Sequence, residues 1–186
     1  MALEAADGIN ATNGEAVVKR VPETVPEDRL KSTGAWDPQQ QFQHIPIANA
    51  DDLPEFDGFV WITPTRFGNM SAQFRNLLDR TGGLWYAKKL IRKPVTVMTS
   101  TSSQGGGAQT TIQSIWNTAI HHGMIVVGLP YELEEFYDVD SPNISSPYGA
   151  ATFTGADGKR GLSDAEKVMI RHQAANLTQI ARKLMN

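Results

Sequence analysis

The sequence predicts an α/β domain built on a parallel sheet, and three observations carry that expectation. Short β-branched runs alternate with amphipathic segments, most of the runs are apolar at nearly every position, and turn residues punctuate the joints. Strands covered by helices on both faces have this continuous apolar character because neither face meets water. The 186 residues read as one domain, 1–186, without an internal repeat or a long charge block.

In chain order, Ala16–Val21 is the first candidate strand. A long, polar, proline-dotted stretch from Pro22 to Asp57 separates it from the second, Gly58–Thr63. Phe74, Leu77 and Leu78 then fall on one helical face, for which Gly82-Gly83 offers a stop. Pro94–Ser100 is the third candidate strand, and Ile112, Ile115, Trp116, Ala119 and Ile120 trace a helical stripe after it. Met124–Leu129 is the fourth strand. After a second long segment, Tyr131 to Leu162, the last helix begins near Ser163, with Glu166 at capping-box spacing. That helix is expected to bury Leu177, Ile180, Ala181 and Leu184 and to turn Arg171, Gln173 and Lys183 to water. Trp61 and Trp116 read as core. The two long segments read either as surface decoration or as subunit contacts.

Composition narrows the function classes. A net charge of −3 gives no electrostatic basis for a nucleic acid or an anionic membrane as partner. No cysteine is present, so disulfides, thiolate catalysis and cysteine metal sites are excluded. Every apolar run is far shorter than a membrane span, the first residues lack the pattern of a targeting signal, and the expected location is the cytoplasm. No metal site is expected: the adjacent His121 and His122 point to different helix faces.

Ligands of an open parallel sheet bind beyond the carboxyl ends of its strands. Two loops are placed there. Pro64 opens the first and lacks an N–H, leaving the amides of Thr65, Arg66, Phe67 and Gly68 to face a planar ligand edge. The second, "TSTSSQGGGAQTT" (Thr99–Thr111), offers hydroxyls, three glycines and a helix amino terminus, which suit the acceptors of a polar heterocycle or a phosphate. Either loop alone reads more readily as an ordinary strand-to-helix turn with flexible glycines.

Four blocks, "PTRFGNMSAQFRNLLDRTGGLW", "TSTSSQGGG", "HHGMIVVGLPY" and "PYGAATFTGADGKR", resemble the WrbA-type NAD(P)H:quinone oxidoreductases, in that family's order and spacing from about Val17 onward. The resemblance implies a flavodoxin-like, doubly wound parallel sheet in the order 2-1-3-4-5. It also implies FMN at the carboxyl edge, NADH or NADPH as hydride donor, a quinone substrate, and a homotetramer (or dimer) whose protomers complete each other's sites. Carried over by position, Thr65, Arg66, Phe67 and Gly68 face the flavin ring. Ser100, Thr101, Ser102, Ser103, Gln104, Gly105 and Gly106 surround its pyrimidine edge and ribityl chain. His121 matches a histidine near the flavin and Trp85 a tryptophan of the substrate cleft.

Each of these residues also has a structural reading. His121 can be a satisfied histidine at a helix carboxyl end, Trp85 core filler, and Arg66 the partner of Asp79. Against the family pattern, the chain opens where the first helix would be under way, so the expected fold is N-terminally truncated, without the first central strand and its phosphate loop. Such a chain is expected to lose ladder bonds and to hold FMN weakly. A cofactor-poor oligomeric or interaction protein is the alternative function, and a shortened gene model or splice form is the alternative origin.

Overall fold

The computed structural model describes residues 1–185. In chain order the elements are α1 (Ala2–Asn10), α2 (Glu27–Ser32), α3 (Trp36–Gln40), β1 (Phe59–Pro64), α4 (Ala72–Asp79), α5 (Gly82–Tyr86), β2 (Pro94–Thr101), α6 (Ala108–His121), β3 (Ile125–Val126), β4 (Ala151–Phe153) and α7 (Asp164–Met185), with 3₁₀ turns at Ala50–Glu55 and Glu134–Phe136. All strand pairs are parallel.

β2 is the centre of the sheet. One edge pairs with β1 from Phe59↔Val95 to Pro64↔Ser100. The other edge is shared: β3 pairs with Pro94–Val95 and β4 with Thr99–Thr101. Between them the chain leaves the sheet after Val127, whose N–H donates to Val95 O, and returns at Ala150, whose carbonyl accepts from Thr99 N–H. The gap in the ladder is filled by a side chain. Gln173 of α7, wholly buried, donates to Val97 O (3.2 Å) and to Thr96 Oγ1, while its Oε1 accepts the Ala150 N–H at 2.6 Å. Buried backbone groups need partners, and here an amide supplies what a strand would have supplied.

The alternation of side chains along the strands builds two cores. Phe59, Trp61, Val95 and Val97 meet Phe74 and Leu78 of α4 and Ile112, Ile115 and Ala119 of α6. On the opposite face Val60, Ile62 and Met98 meet Ala5 of α1 and Met169, Ile170 and Ala174 of α7. α1 lies directly on α7: a Cβ on Gly8 would stand 2.3 Å from Arg171 O. At the start of α7, Ser163 Oγ accepts the Glu166 N–H (3.2 Å) and Glu166 Oε2 accepts the Ser163 N–H (2.7 Å), the reciprocal capping expected from the sequence.

Five sequence expectations are corrected. Ala16–Val21 is not a strand: apart from a single bridge between Arg20 and Ile47 it makes no ladder, because among the described residues no strand lies between it and β1 to pair with. The sheet therefore lacks the outer position of the expected order. Met124–Leu129 narrows to the two residues of β3, and the rest of that edge belongs to β4. Gly82-Gly83 begins α5 instead of ending the previous helix; α4 stops at Asp79, and Thr81 Oγ1 donates back to Leu78 O. Gln173 is buried, for the reason just given. Leu184 is half exposed: the 22 residues of α7 span about 33 Å against about 26 Å for the eight of β2, so the last turn overhangs the sheet.

The Pro22–Asp57 stretch folds over α4. The Glu23 carboxylate accepts from the Thr24 and Val25 amides, Gln39 Nε2 and Gln73 Nε2. Desolvation is the largest single influence and raises its pKa, but together these four donors outweigh it and hold the carboxyl below its usual value. Among the described residues no helix is long and apolar enough to cross a membrane.

Candidate functional site

The loop after β1 turns tightly on itself. Arg66 N–H donates to Asn69 O (2.7 Å) and Asn69 N–H to Arg66 O (3.0 Å), closing a two-residue hairpin whose central residues, Phe67 (φ 54°) and Gly68 (φ 75°), are both left-handed. Glycine adopts that conformation freely; phenylalanine does so at roughly 1–2 kcal/mol. The Phe67 ring is completely exposed, so no intramolecular packing offsets that cost. Arg66 donates to the Thr65 carbonyl at 2.9 Å. It does not reach Asp79, which is held by Arg75 one helical turn earlier.

The loop after β2 stands against it. Thr65 N–H donates to Ser100 O (2.8 Å), and Thr65 Oγ1 lies 2.7 Å from Thr111 Oγ1. The Thr111 hydroxyl proton is directed to Gly107 O (2.9 Å), which makes Thr65 the donor in that pair. Gly107 (φ 82°) caps α6 with no side-chain bond, so the first-turn amides of α6 have no capping side chain. The two loops touch backbone to backbone. A Cβ on Gly107 would stand 3.2 Å from Gly68 Cα, and one on Gly68 would stand 2.9 Å from Thr110 Oγ1. Thr101 Oγ1 donates to Ser103 O, folding the loop so that Ser102, Ser103, Gln104 and Gly105 are exposed on the same rim.

A third wall comes from the end of β4. Thr152, Thr154 and Arg160 line a pocket of about 360 Å³ with Thr63, Pro64 and Ser100. Arg160 Nη1 donates to both oxygens of the wholly buried Glu166 (3.0 Å each) and to Phe153 O (2.9 Å), and its guanidinium lies 4.0 Å above the Phe153 ring. Sequence reading missed Arg160. The usable signal was the capping-box glutamate: a carboxylate buried in a helix's first turn requires a cation nearby.

Of the residues selected from sequence, Thr65, Arg66, Phe67 and Gly68 are brought together with Ser100, Thr101, Ser102, Ser103, Gln104, Gly105 and Gly106 at one rim. His121 and Trp85 are not. α6 runs 14 residues away from Gly107, about 20 Å, so His121 lies at the opposite rim, two residues before Gly123, whose carbonyl accepts the Arg92 N–H. Trp85 accompanies it, its Nε1 donating to His121 O at 2.9 Å, and is about half exposed. Within one chain these two cannot reach a ligand held by the loops. Neighbouring His122 is structural: since the Thr81 proton is directed to Leu78 O, the His122 ring donates through Nε2 to Thr81 Oγ1 (2.8 Å), leaving Nδ1 buried without a partner. Burial, and secondarily the charge of His121, lowers its pKa.

Comparison with known proteins shows the family. The sequence profile described as NADPH-dependent FMN reductase matches residues 4–136. The NAD(P)H dehydrogenase (quinone) of Aromatoleum aromaticum is 45% identical over 186 residues, all of this chain and 90% of that protein. That of Syntrophobacter fumaroxidans is 44% identical over 185 residues, covering 99% of this chain and 91% of that protein. Among solved structures, a flavodoxin, WrbA-like protein from Agrobacterium tumefaciens superimposes with a TM-score of 0.61 at 18% identity, covering 98% of this chain and 90% of that one, a likeness of fold. Together, the matched profile and the full-length identity place this chain in the NADPH-dependent FMN reductase family.

Proposed function

We propose that this protein binds FMN across the rim formed by Thr65–Gly68 and Ser100–Gly107 and uses NAD(P)H to reduce quinones to hydroquinones. The observation that carries the reading is the close approach of Gly68 and Gly107, which makes two amide-rich turns one continuous surface. The residues fit a flat, acceptor-rich ring: side chains are absent where the backbones meet, hydroxyls of Ser100, Ser102 and Ser103 border the surface, and the uncapped first turn of α6 favours electron-rich atoms.

FMN, when bound, accepts a hydride from the nicotinamide and returns two electrons to the quinone, which takes up two protons to become the hydroquinone. The chain's own residues bind and orient. The Thr65 and Arg66 amides are taken by Ser100 O and Asn69 O, so the amides of Phe67 and Gly68 are the ones that meet the ring edge, Arg66 offers a planar cation beside it, and Thr65, fixed by Thr111, holds the two turns in register. Trp85 and His121 act in a homotetramer or dimer, where a second copy of the chain carries them over the rim to stack on the quinone and to hold or deliver a proton at its oxygen. Their exposure, their distance from their own chain's loops and the uncovered Phe67 ring support this arrangement. The cytoplasm, which supplies NAD(P)H, is the compartment that fits.

The test is NADH oxidation with benzoquinone by purified protein supplemented with FMN. Turnover well above that of free FMN is expected; turnover equal to free FMN would remove the reading.

A further inference from the structure

The net charge of −3 is unevenly distributed. From Arg80 to Tyr131 the chain has five lysines and arginines and no aspartate or glutamate, so all 20 acidic residues lie elsewhere. Four of the five, Arg80, Lys88, Lys89 and Arg92, are exposed and, among the described residues, paired with no carboxylate. Asp79, next to Arg80, is taken by Arg75, and the fifth cation, Lys93, donates to Phe56 O. The backbone gathers the free cations. After α5 the chain makes two tight turns, with Lys89 N–H donating to Leu84 O and Lys93 N–H to Leu90 O. Lys88 (φ 59°) and Arg92 (φ 65°) are left-handed there, a conformation that glycine adopts freely and a long side chain does not. The same segment carries Trp85, bonded to His121 O, and Tyr86, which is 83% exposed.

Free cations beside an uncovered aromatic ring suit a phosphorylated aromatic ligand: the ring offers a face on which a purine stacks, and the cations donate to phosphate oxygens. We infer that Arg80, Lys88, Lys89 and Arg92 seat the adenosine 2′-phosphate of the hydride donor, with Tyr86 against the adenine, and so select NADPH over NADH. The inference rests on the assembly proposed above, in which a copy that carries Trp85 and His121 over its partner's rim brings this surface to the same cleft. The nicotinamide then meets the flavin seat while the adenosine end reaches the cations of the neighbouring copy. The 2′-phosphate is the group by which NADPH differs from NADH, and near neutral pH it is close to a dianion. Cations already held by carboxylates would have to give up those partners to receive it. These four have none to give up, so the added charge is discriminated directly.

Lys88→Gly and Arg92→Gly are the variants that test this, because glycine suits both left-handed positions and the fold is retained. The first probe is adenosine 2′,5′-bisphosphate, titrated calorimetrically into the intact protein beside 5′-AMP, a measurement that requires neither flavin nor turnover. The bisphosphate should bind more tightly than 5′-AMP, and its affinity should fall about fivefold in each variant, the upper range for an exposed charge pair, and about 25-fold in the double variant. The second readout is the ratio of kcat/KM for NADPH to that for NADH, with FMN and benzoquinone, which should fall by the same factors through the KM for NADPH. Equal affinity for the bisphosphate and 5′-AMP, or an unchanged ratio in the double variant, would overturn the inference. So would inorganic pyrophosphate competing as well as the bisphosphate does, since that marks a surface for any polyanion. Absence of turnover with both donors would instead remove the proposed quinone reduction, and the bisphosphate titration alone would then decide for or against the phosphate seat.

Discussion

Replacing Gln173 by leucine tests how the split edge of the sheet is held together. Leucine has nearly the volume of glutamine, so packing changes little, but three hydrogen bonds disappear. Thr96 keeps its bond to Val127 O, whereas the Ala150 N–H and the Val97 carbonyl lose the partners described above. Each buried backbone group left without a partner costs about 1–3 kcal/mol, and the more apolar side chain returns about 1 kcal/mol. The expected loss is therefore about 1–5 kcal/mol, a sizeable share of a typical domain stability of about 5–15 kcal/mol. Urea unfolding followed by far-ultraviolet circular dichroism measures it, with an unchanged m-value confirming that the unfolded reference is the same. A loss below about 0.5 kcal/mol would refute the reasoning, because the groups would then have other partners.

Other predictions follow the same logic. Arg160→Met leaves the buried Glu166 carboxylate without its cation; about 2–4 kcal/mol of stability should be lost, after allowing for the partial exposure of Arg160, and adding Glu166→Gln to the same chain should recover part of it, measured as a double-mutant cycle. Gly8→Val drives its Cβ into the Arg171 backbone and should detach α1 from α7, seen as faster amide exchange in α1 and a lower Tm. His122 has a depressed pKa in the fold, so its contribution to stability is present above the unfolded value of about 6.5 and falls away as the pH drops toward the folded pKa, where the unfolded chain binds a proton that the fold does not. His122→Gln should flatten the dependence of stability on pH between 7 and 5 in urea melts.

Much of this architecture was legible in the chain. Continuous apolar runs marked β1 and β2 because burial on both faces leaves no polar alternation, and the Ser163–Glu166 spacing marked the start of α7 because a cap is a local interaction. Ile112, Ile115 and Ala119 were legible as one face of α6 for a similar reason. What depended on distant partners was not. Ala16–Val21 has the composition of a strand, yet a strand exists only by pairing, and the neighbouring position is open. Ala151–Phe153 is too short to announce itself and is a strand only because the edge of β2 away from β1 is open at Thr99–Thr101 to receive it. Gln173 looked like a surface residue because no local pattern reports a gap in a ladder 76 residues away.

The site divides along the same line. The two loops were legible because each follows a buried strand, and strands of a parallel sheet end at a common rim. Their direct contact through Gly68 and Gly107, and the third wall formed by Arg160, are tertiary. His121 and Trp85 entered through resemblance to a family, and the length of α6 places them at the far rim of their own chain.

The most direct test of the account is FMN titration of the intact protein against its Gly107→Ala variant, followed by quenching of flavin fluorescence. The added methyl meets Gly68 Cα at 3.2 Å and occupies a left-handed position, so the turns must shift against each other by a few tenths of an ångström and the backbone is strained. The account predicts saturable binding by the natural protein and affinity at least about tenfold weaker in the variant, equivalent to about 1.4 kcal/mol, with the circular dichroism spectrum unchanged. Equal affinity in the two proteins would contradict the assignment of these turns as the flavin seat.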